Sequence, residues 1–329
     1  MSMRRAISAR HEVWPLAQVF RISRGARTVA DVIVVEVVQN GVRGWAEAVP
    51  YPRYGQSIES SLAEIDRVRC AVEEGTSRHE LMAEMAPSAV RNAIDCALWD
   101  LEAKMTGDPV WRLAGLDEPG MLTTTYTLSI DTPDAMGAAA VANAHRPLLK
   151  IKLDSEHVLE RLGAVRRGAP DARLVVDANE AWSVDLLRKI GGALAELNVT
   201  MIEQPLRADD DAGLAGLDCP VTLCADESCH GSNTVAALAD RYGMVNIKLD
   251  KTGGLTEALA LRRAAQEAGL EIMVGCMVGT SLAMAPAMLV AQGASVVDLD
   301  GPLLMREDRS PGIVFEGNRM HPCPPELWG

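Results

Sequence analysis

The residues LLKIK at positions 148–152 open a series of five short apolar runs, each of which ends in a charged residue. The later runs are RLVVD at 173–177, TMIE at 200–203, VTLCAD at 221–226 and MVNIK at 244–248. Their last residues lie 25, 26, 23 and 22 positions apart, and a period of this size indicates a repeated supersecondary unit. The unit is one buried strand, a loop and a helix, which predicts a parallel α/β fold.

Three further segments complete a barrel of eight strands. Thr123–Ser129 is predicted as the first strand, Glu271–Gly275 as the seventh and Ser295–Asp300 as the eighth, with helices such as Gly254–Ala268 between strands. Gly253 and Gly254 fit a tight turn at the start of that helix, or a close approach of the backbone to a ligand. Charged residues at the carboxyl ends of barrel strands lie where a (β/α) barrel has its active site.

The residues before the repeats predict a separate α+β region. Val32–Val38 is a strand, Asn40-Gly41 a hairpin turn and Gly44–Ala48 the return strand, and two helices follow at Ser57–Glu74 and Ser88–Met105. The predicted organisation is therefore an α+β capping domain (1–118), a TIM-like (β/α)7β barrel (119–305) and a C-terminal tail (306–329) that packs back on the capping domain.

Composition excludes several classes of protein. The chain has 329 residues and a formal charge of −13, which argues against nucleic acid and anionic membrane surfaces as partners. Its seven cysteines have no disulfide-framework spacing and favour a cytoplasmic location. The spacing of Cys219, Cys224, Cys229 and His230 matches no zinc pattern.

Membrane and export signals are not expected either. Residues 1–20 contain Arg5, Arg10 and Glu12 but no continuous apolar core, so they are not expected to be a signal peptide. The uncharged stretch 272–297 is long enough for a membrane span, but Gly275, Pro286 and other small or polar residues favour a strand, a turn and a helix.

Three acidic residues end neighbouring strands of the predicted barrel. Asp177, Glu203 and Asp226 belong to strands three, four and five, so their carboxylates converge at the barrel mouth. Carboxylate oxygens without nearby His or thiolate suit a hard cation, and Mg²⁺ would keep positions open for water and substrate. The sequence therefore predicts a Mg²⁺ site.

Two lysines face each other across the predicted barrel. Lys152 ends strand two and Lys248 ends strand six, so they flank a substrate from opposite sides. Burial and nearby positive charge, from the cation and from Lys150, are expected to lower a lysine pKa enough for proton abstraction. One lysine would remove an α-proton and the other return it on the opposite face, which is racemisation or epimerisation. Asp250 and Lys251 are expected to be loop residues.

The eighth strand contributes a second acidic pair. Asp298 and Asp300 are two positions apart, so both are expected to point into the barrel mouth opposite strand four. Two carboxylates at that point suit an ammonium group on the far end of the substrate. A dipeptide with a free N-terminus has that group together with a carboxylate and an acidic Cα–H.

These motifs resemble the enolase superfamily, muconate-lactonising subgroup, and more closely its bacterial L-Ala-D/L-Glu epimerases. The resemblance covers nearly the whole chain, and its most specific parts are YPRYG at 51–55, KIK at 150–152, VDANE at 176–180, EQP at 203–205, ADES at 225–228, NIKLDKTGG at 246–254 and DLDG at 298–301.

The resemblance implies a role for each candidate residue. It implies Asp177, Glu203 and Asp226 as Mg²⁺ ligands and Lys152 and Lys248 as the acid/base pair. It further implies that the substrate is held by six residues: the carboxylate by Lys150, the ammonium by Asp298 and Asp300, the acidic side chain by Arg24, and other parts of the pocket by Thr127 and Met277. The implied substrate is L-Ala-D/L-Glu, a murein breakdown product, and the assembly is a monomer or a homo-oligomer.

Other functions are less well supported by the same residues. Epimerases of other dipeptides need the same machinery and stay open. Lyases such as o-succinylbenzoate synthases or acid-sugar dehydratases act on substrates without an ammonium, so Asp298 and Asp300 argue against them. Acid-sugar dehydratases also use a His near strand seven, where this chain has Gly275-Cys276. A non-catalytic metal-binding protein would not need both lysines.

Overall fold

The computed structural model describes residues 5–329. Residues 1–4 lie outside the described residues. They include the start of the capping domain predicted for 1–118, and the start of the segment 1–20 that is not expected to be a signal peptide. The described chain forms an eight-stranded parallel barrel and a separate antiparallel sheet near the N-terminus, which confirms the predicted fold class.

The N-terminal sheet contains three antiparallel strands, β1 (Ala6–Ile22), β2 (Gly25–Gln39) and β3 (Val42–Ala48). The predicted strands Val32–Val38 and Gly44–Ala48 lie within β2 and β3 and are confirmed. The sequence analysis missed β1 and the first seven residues of β2. The two strands pair along their lengths, from Ala6–Val38 to Ile22–Gly25.

Four helices follow this sheet: α1 (Ile58–Glu74), α2 (Arg78–Glu84), α3 (Ala89–Thr106) and α4 (Val110–Leu113). Helices α1 and α3 pack on the sheet, and α2 and α4 contact α3. Serine side chains at 57, 77 and 88 accept backbone hydrogen bonds at the N-termini of the first three, which satisfies amides that have no partner inside the helix. Helix α3 lies close to β3 because Gly44 has no side chain; a Cβ there would overlap Ala97 and Leu101.

The chain then forms the short strand β4 (Leu122–Thr123) and the barrel. Its strands are β5 (Tyr126–Leu128), β6 (Leu148–Lys152), β7 (Arg173–Asp177), β8 (Val199–Glu203), β9 (Thr222–Ala225), β10 (Met244–Ile247), β11 (Glu271–Gly275) and β12 (Val296–Asp298). They lie in sequence order, and the Thr125 amide donates to the Val297 carbonyl (2.8 Å), which joins the first strand to the last. The first and eighth strands are shorter than predicted.

The barrel helices are α5 (Pro133–Ala142), α6 (Val158–Gly168), α7 (Val184–Glu196), α8 (Val235–Leu238), α9 (Leu249–Thr252), α10 (Leu255–Glu267) and α11 (Ser281–Val290). Between β8 and β9 the described chain has no α-helix, only the 3-10 turn Ala212–Leu214. Gly213 and Gly216 lie in this segment, and glycine disfavours a regular helix. Within residues 5–329, no helix is long and apolar enough to cross a membrane. The stretch 272–297 instead forms β11, α11 and the start of β12.

The C-terminal residues pair with both parts of the chain. Strand β13 (Phe315–Glu316) pairs with β14 (Arg319–Met320), which pairs with β4. The Trp45 indole donates to the Leu327 carbonyl (2.5 Å), and the Trp328 indole donates to the Cys96 carbonyl (3.1 Å). The domain boundaries at 118/119 and 305/306 stay predictions.

Candidate active site

The candidate site is one layer of the barrel interior. Below it, seven apolar side chains from neighbouring strands form a closed cluster: Leu148, Val175, Met201, Cys224, Met244, Met273 and Val296. Strand side chains alternate between the two faces, so the residues two positions further along point to the same interior. Those residues are Lys150, Asp177, Glu203, Asp226, Asn246, Gly275 and Asp298. The alternation therefore places a polar layer directly above an apolar floor.

Each acid of this layer faces an ammonium group. Lys152 Nζ lies 2.5 Å from Asp177 Oδ2, and Lys248 Nζ lies 2.7 Å from Asp226 Oδ2. Lys150 Nζ lies 2.6 Å from both Glu203 Oε2 and Asp298 Oδ2. All of these side chains are buried, so the charges are compensated inside the barrel rather than by solvent.

In this conformation, no three His, Cys, Asp or Glu side chains among residues 5–329 converge at the distances of a metal site. The predicted convergence of Asp177, Glu203 and Asp226 is therefore incomplete, because each carboxyl group turns toward a lysine. The donor set still fits a hard cation in its chemistry. Glu203 Oε2 and Asp226 Oδ1 are buried and accept no well-directed hydrogen bond, although each lies 2.6 Å from an ammonium group, of Lys150 and Lys251 respectively. Carboxylate oxygens of this kind are the ligands that a hard cation prefers.

The pKa values of the acids diverge with their neighbours. Burial raises the pKa of Asp177, but the ammonium groups of Lys152 and Lys150 outweigh it and hold the pKa below its usual range. Burial also raises the pKa of Asp226, but Lys248 and Lys251 outweigh it and hold the pKa well below its usual value. For Glu203, burial and then the negative charge of Asp177 prevail and raise the pKa to about 8.

The expectation that burial and positive neighbours lower the pKa is wrong for Lys248 in this conformation, and Lys150 shows why. Burial does act downward on the pKa of Lys150, but the surrounding carboxylates raise it well above its ordinary value. The pKa of Lys248 is raised in the same way, by Asp226 and Glu203. The prediction counted positive neighbours and omitted the carboxylates in contact with each ammonium.

The two predicted acid/base residues lie across the barrel from each other. Lys152 ends β6 and Lys248 directly follows β10, and three strands separate these strands in either direction around the closed sheet. Gly275 makes room for Lys248, since a Cβ at Gly275 would lie 3.0 Å from Lys248 Cε. The structure thus places the two ammonium groups on opposite sides of the acidic cluster.

Asp298 and Asp300 are both buried, but only Asp298 belongs to the eighth strand. Asp300 lies past the strand end, where φ −87° and ψ 4° begin a 3-10 turn, so strand alternation does not orient it. Its Oδ2 accepts the Thr127 amide (2.7 Å), and Asp298 Oδ1 accepts the Thr125 hydroxyl (2.5 Å). Burial, together with the charge of Asp298, raises the pKa of Asp300 to about 7.

The capping sheet brings Arg24 over the barrel mouth. Arg24 lies in the turn between β1 and β2, and its guanidinium donates to the Asn179 carbonyl (3.0 Å) and to Glu227 Oε1 (2.7 Å). It also donates to Glu180 Oε2 and to the Tyr51 hydroxyl, both at 3.3 Å. Four of its N–H groups therefore already have protein acceptors.

Glu180 connects two loops of the capping sheet to the barrel. Besides Arg24, it binds Arg53 through two hydrogen bonds of 2.8 Å, and Arg53 lies in the 3-10 turn Pro52–Tyr54. Its backbone has φ 68°, next to Asn179 with φ 43°, a left-handed conformation that is uncommon without glycine. This conformation directs the loop after β7 toward both capping loops, which we call the 24-loop (Ile22–Gly25) and the 53-loop (Tyr51–Gly55).

Two adjoining cavities lie between these loops and the barrel. The inner cavity, about 70 Å³, reaches Lys152, Asp226 and Cys276. The outer cavity, about 150 Å³, reaches Arg27 and Val49 under the capping sheet. The two share six lining residues: Phe20, Ile22, Arg24, Tyr51, Met277 and Val278. Met277 therefore lines both, whereas Thr127 lies near Asp300 and lines neither.

Sequence analysis missed several polar residues around the site. Lys251 was expected in a loop, but it lies in α9, and its buried Nζ is 2.6 Å from Asp226 Oδ1 and donates to the carbonyls of Cys229 (2.9 Å) and Asn246 (3.0 Å). Asn246 donates to Glu203 Oε1 (2.7 Å). Its interior position two residues before Lys248 was the available signal.

The pair Gly253-Gly254 approaches the capping domain rather than a ligand. The Arg91 guanidinium of α3 donates to the carbonyls of Gly253 (3.0 Å) and Thr252 (2.6 Å). Gly254 has φ 126° and lies against Asp95 of α3, whose carboxylate caps α10 by accepting the Thr256 amide (2.9 Å). Of the two readings left open by the sequence, the tight turn at the helix start is confirmed.

Comparison with known proteins identifies the family. The model of the mandelate racemase / muconate lactonizing enzyme N-terminal domain matches residues 4–115, and the enolase C-terminal domain-like model matches residues 135–310. The L-Ala-D/L-Glu epimerase of Escherichia coli is 45% identical over 96% of this chain and 99% of its own length. The N-acetyl-D-glutamate racemase of a Pseudoalteromonas species is 46% identical over 90% of this chain and 95% of its own.

Solved structures agree with this assignment. An enolase family member from Agrobacterium tumefaciens with homology to dipeptide epimerases superposes with a TM-score of 0.96 and 51% identity, covers 99% of this chain and 100% of its own, and holds sodium and L-Ala-L-Glu. Three dipeptide epimerases of 26% to 30% identity hold Mg and a dipeptide. The chain therefore belongs to the enolase superfamily of enzymes, in its mandelate racemase and muconate-lactonising group.

Proposed function

We propose that the protein epimerises L-Ala-D/L-Glu at the Glu α-carbon by a two-base 1,1-proton transfer through an enediolate, as part of murein peptide metabolism. The observation that carries the proposal is the position of Lys152 and Lys248 on opposite sides of one acidic cluster. The name of the Escherichia coli relative and the dipeptide held by the Agrobacterium protein support the substrate class.

The cofactor proposed for this site is Mg²⁺, held by Asp177, Glu203 and Asp226. Two observations support oxygen coordination: Glu203 and Asp226 each have a buried oxygen that accepts no well-directed hydrogen bond, and the polar layer of the described barrel contains no His. A bound divalent cation would stabilise the negative charge that develops on the substrate carboxylate as the α-proton leaves.

The remaining steps are assigned to side chains of this chain. One lysine of the pair, in its neutral form, accepts the α-proton through Nζ, and the other donates a proton from Nζ to the opposite face. In the described conformation both ammonium groups contact carboxylates, and for Lys248 this contact raises the pKa and favours the charged form. A general base must be neutral, so loss of the contact with Asp226 on substrate binding would favour proton abstraction by Lys248.

Recognition of the dipeptide is assigned to the rest of the polar layer. Lys150 would hold the substrate carboxylate, and Asp298 with Asp300 would hold the ammonium. Their burial favours such a role, because a buried carboxylate gains most from a cationic partner. Arg24 borders both cavities and is proposed to contact the acidic side chain, with Thr127 and Met277 completing the pocket.

Proton exchange tests the two-base assignment. Each epimer is incubated with enzyme and Mg²⁺ in D₂O, and deuterium uptake at the Glu α-carbon is followed by mass spectrometry. Lys152→Ala should lose exchange with one epimer and keep it with the other, and Lys248→Ala should show the reverse. The exposed Lys189→Ala serves as the matched control. Equal loss with both epimers in either lysine variant would contradict the assignment.

Thermal unfolding tests the cation independently of turnover. Wild-type protein treated with a chelator should gain stability when Mg²⁺ is added, by about 2.7 kcal/mol at 100 times the dissociation constant. Asp226→Asn should lose this gain, whereas Asp240→Asn, an exposed aspartate outside the barrel interior, should keep it. An identical response of wild type and Asp226→Asn argues against the ligand assignment.

A second candidate substrate is N-acetyl-D-glutamate, because the relative named for that racemisation is 46% identical. N-acetyl-D-glutamate has the same glutamate α-carbon and side chain as the dipeptide, but it has no ammonium group. If Asp298 and Asp300 bind an ammonium, kcat/KM for L-Ala-D-Glu should exceed that for N-acetyl-D-glutamate, and Asp300→Asn should reduce only the first. The reverse preference would favour the N-acetyl compound.

A further inference from the structure

The guanidinium of Arg24 shares its charge with several groups of the protein. Its guanidinium is held by Glu227, Glu180, Tyr51 and the Asn179 carbonyl, at 2.7 to 3.3 Å. The cations Arg24 and Arg53 are balanced by the anions Glu180 and Glu227, so this network has no net charge when all four are ionised. The network fixes the loops but provides no uncompensated positive charge.

A second arginine of the same hairpin differs in this respect. Arg27 is the third residue of β2, and its guanidinium carbon lies 5.1 Å from the centre of the Tyr51 ring. Its side chain makes no hydrogen bond or ion pair with any residue in 5–329, apart from this cation–π contact. It is exposed on one side and lines the outer cavity on the other. Its charge is therefore uncompensated by the protein.

The outer cavity is a suitable place for a substrate side chain. It adjoins the inner cavity through six shared residues, and the inner cavity reaches Lys152, the proposed base. A side chain that leaves the α-carbon near Lys152 and passes Met277 would therefore extend toward Tyr51 and Arg27. Its walls are otherwise mostly apolar, so a carboxylate there would depend on a nearby cation.

We propose that Arg27 is a further specificity-determining residue, which supplies the uncompensated positive charge that selects an acidic side chain on the epimerised residue. Arg24 keeps the contact with the acidic side chain proposed above and also holds the 24-loop against the loop after β7, whereas Arg27 adds a charge that no protein group shares. The inference rests on the proposed function. It applies equally to the two candidate substrates, since both contain the glutamate side chain.

The test compares two dipeptides that differ only in this charge, L-Ala-L-Glu and L-Ala-L-Gln. Their dissociation constants are measured by calorimetry in the presence of Mg²⁺, and deuterium exchange is measured in parallel. Arg27→Gln should reduce the preference for L-Ala-L-Glu about five-fold, as for a partly exposed ion pair, while Arg27→Lys keeps most of it. Arg21→Gln is the matched control, since Arg21 is on the same hairpin and lines neither cavity.

Salt adds a readout that a structural role of Arg27 would not change. The wild-type preference for L-Ala-L-Glu should fall as ionic strength rises, and that of Arg27→Gln should fall less. The inference is overturned if Arg27→Gln keeps the wild-type preference within two-fold, or if Arg21→Gln loses as much. Wild-type protein that binds neither dipeptide overturns both proposals, whereas binding of L-Ala-L-Glu without α-proton exchange overturns the proposed function alone.

Discussion

Replacement of Gly254 by alanine should destabilise the protein severely. Gly254 has φ 126°, a region of backbone conformation that is open almost only to glycine, and forcing another residue into it costs about 1–3 kcal/mol. A Cβ at this position would lie 2.7 Å from both Cβ and Cγ of Asp95, and such overpacking costs about 1–3 kcal/mol more.

Asp95 cannot move aside without further loss. Its carboxylate accepts the Thr256 amide (2.9 Å) and the Thr256 hydroxyl (2.6 Å), and each hydrogen bond to a charged group contributes about 1.5–3 kcal/mol. The expected cost of Gly254→Ala is therefore about 2–6 kcal/mol, measured as the free energy of unfolding in a denaturant titration.

A matched glycine separates this cost from the general effect of the substitution. Gly120 has no positive φ, and its nearest neighbour to an added Cβ is Gln292 Oε1 at 3.8 Å, so Gly120→Ala should change stability by less than about 0.5 kcal/mol. A cost below about 1 kcal/mol for Gly254→Ala would refute the claim that α3 and the turn before α10 are in rigid contact. Asp95→Ala in the Gly254→Ala background should recover part of the steric cost.

Two further predictions concern buried charges. Lys251→Met removes the ammonium between Asp226 and two carbonyls and should lower the free energy of unfolding by about 3–5 kcal/mol in urea, whereas Lys189→Met should change it by less than about 0.5 kcal/mol. Burial raises the pKa of Asp250 to about 6, against the lowering effect of hydrogen bonds from Val49 and Asn92, so the folded state binds this proton more tightly than the unfolded state. Stability from this group is greatest below about pH 4 and is lost as pH rises to 6, by at most about 3 kcal/mol. The wild-type free energy of unfolding should thus fall more steeply from pH 4 to 7 than that of Asp250→Asn; equal slopes would contradict the assignment.

The barrel strands were largely predictable because their own residues define them. LLKIK at 148–152 and RLVVD at 173–177 are observed as β6 and β7 with the predicted ends. An apolar run buried on both faces ends where a charged residue reaches the barrel mouth, and the local sequence contains both signals. The alternation that orients Lys150 and Lys152 is equally local.

The failures depend on contacts between distant residues. Strand β1 carries Arg10, His11, Glu12 and Pro15, and its 17 residues are extended because they pair with β2. The predicted strand Thr123–Ser129 is divided, since Leu122–Thr123 pairs with the C-terminal strand β14 instead of the barrel. Neither partner can be identified from a local pattern.

The site shows the same division. The acidic residues and lysines were identified individually, but the pairing of Lys150 with Asp298, 148 residues later, was not. That pairing raises the pKa of Lys150. The role of Lys251 also depends on a short helix that turns its side chain back under Asp226.

Glu180 has a kinetic consequence for the loops that it binds. One carboxylate holds both Arg24 and Arg53, and Arg24 also donates to the Tyr51 hydroxyl of the 53-loop, so detachment of either loop removes a contact of the other. The two loops should consequently admit and release a ligand as a single gate with one opening rate, even though 28 residues of chain lie between their arginines.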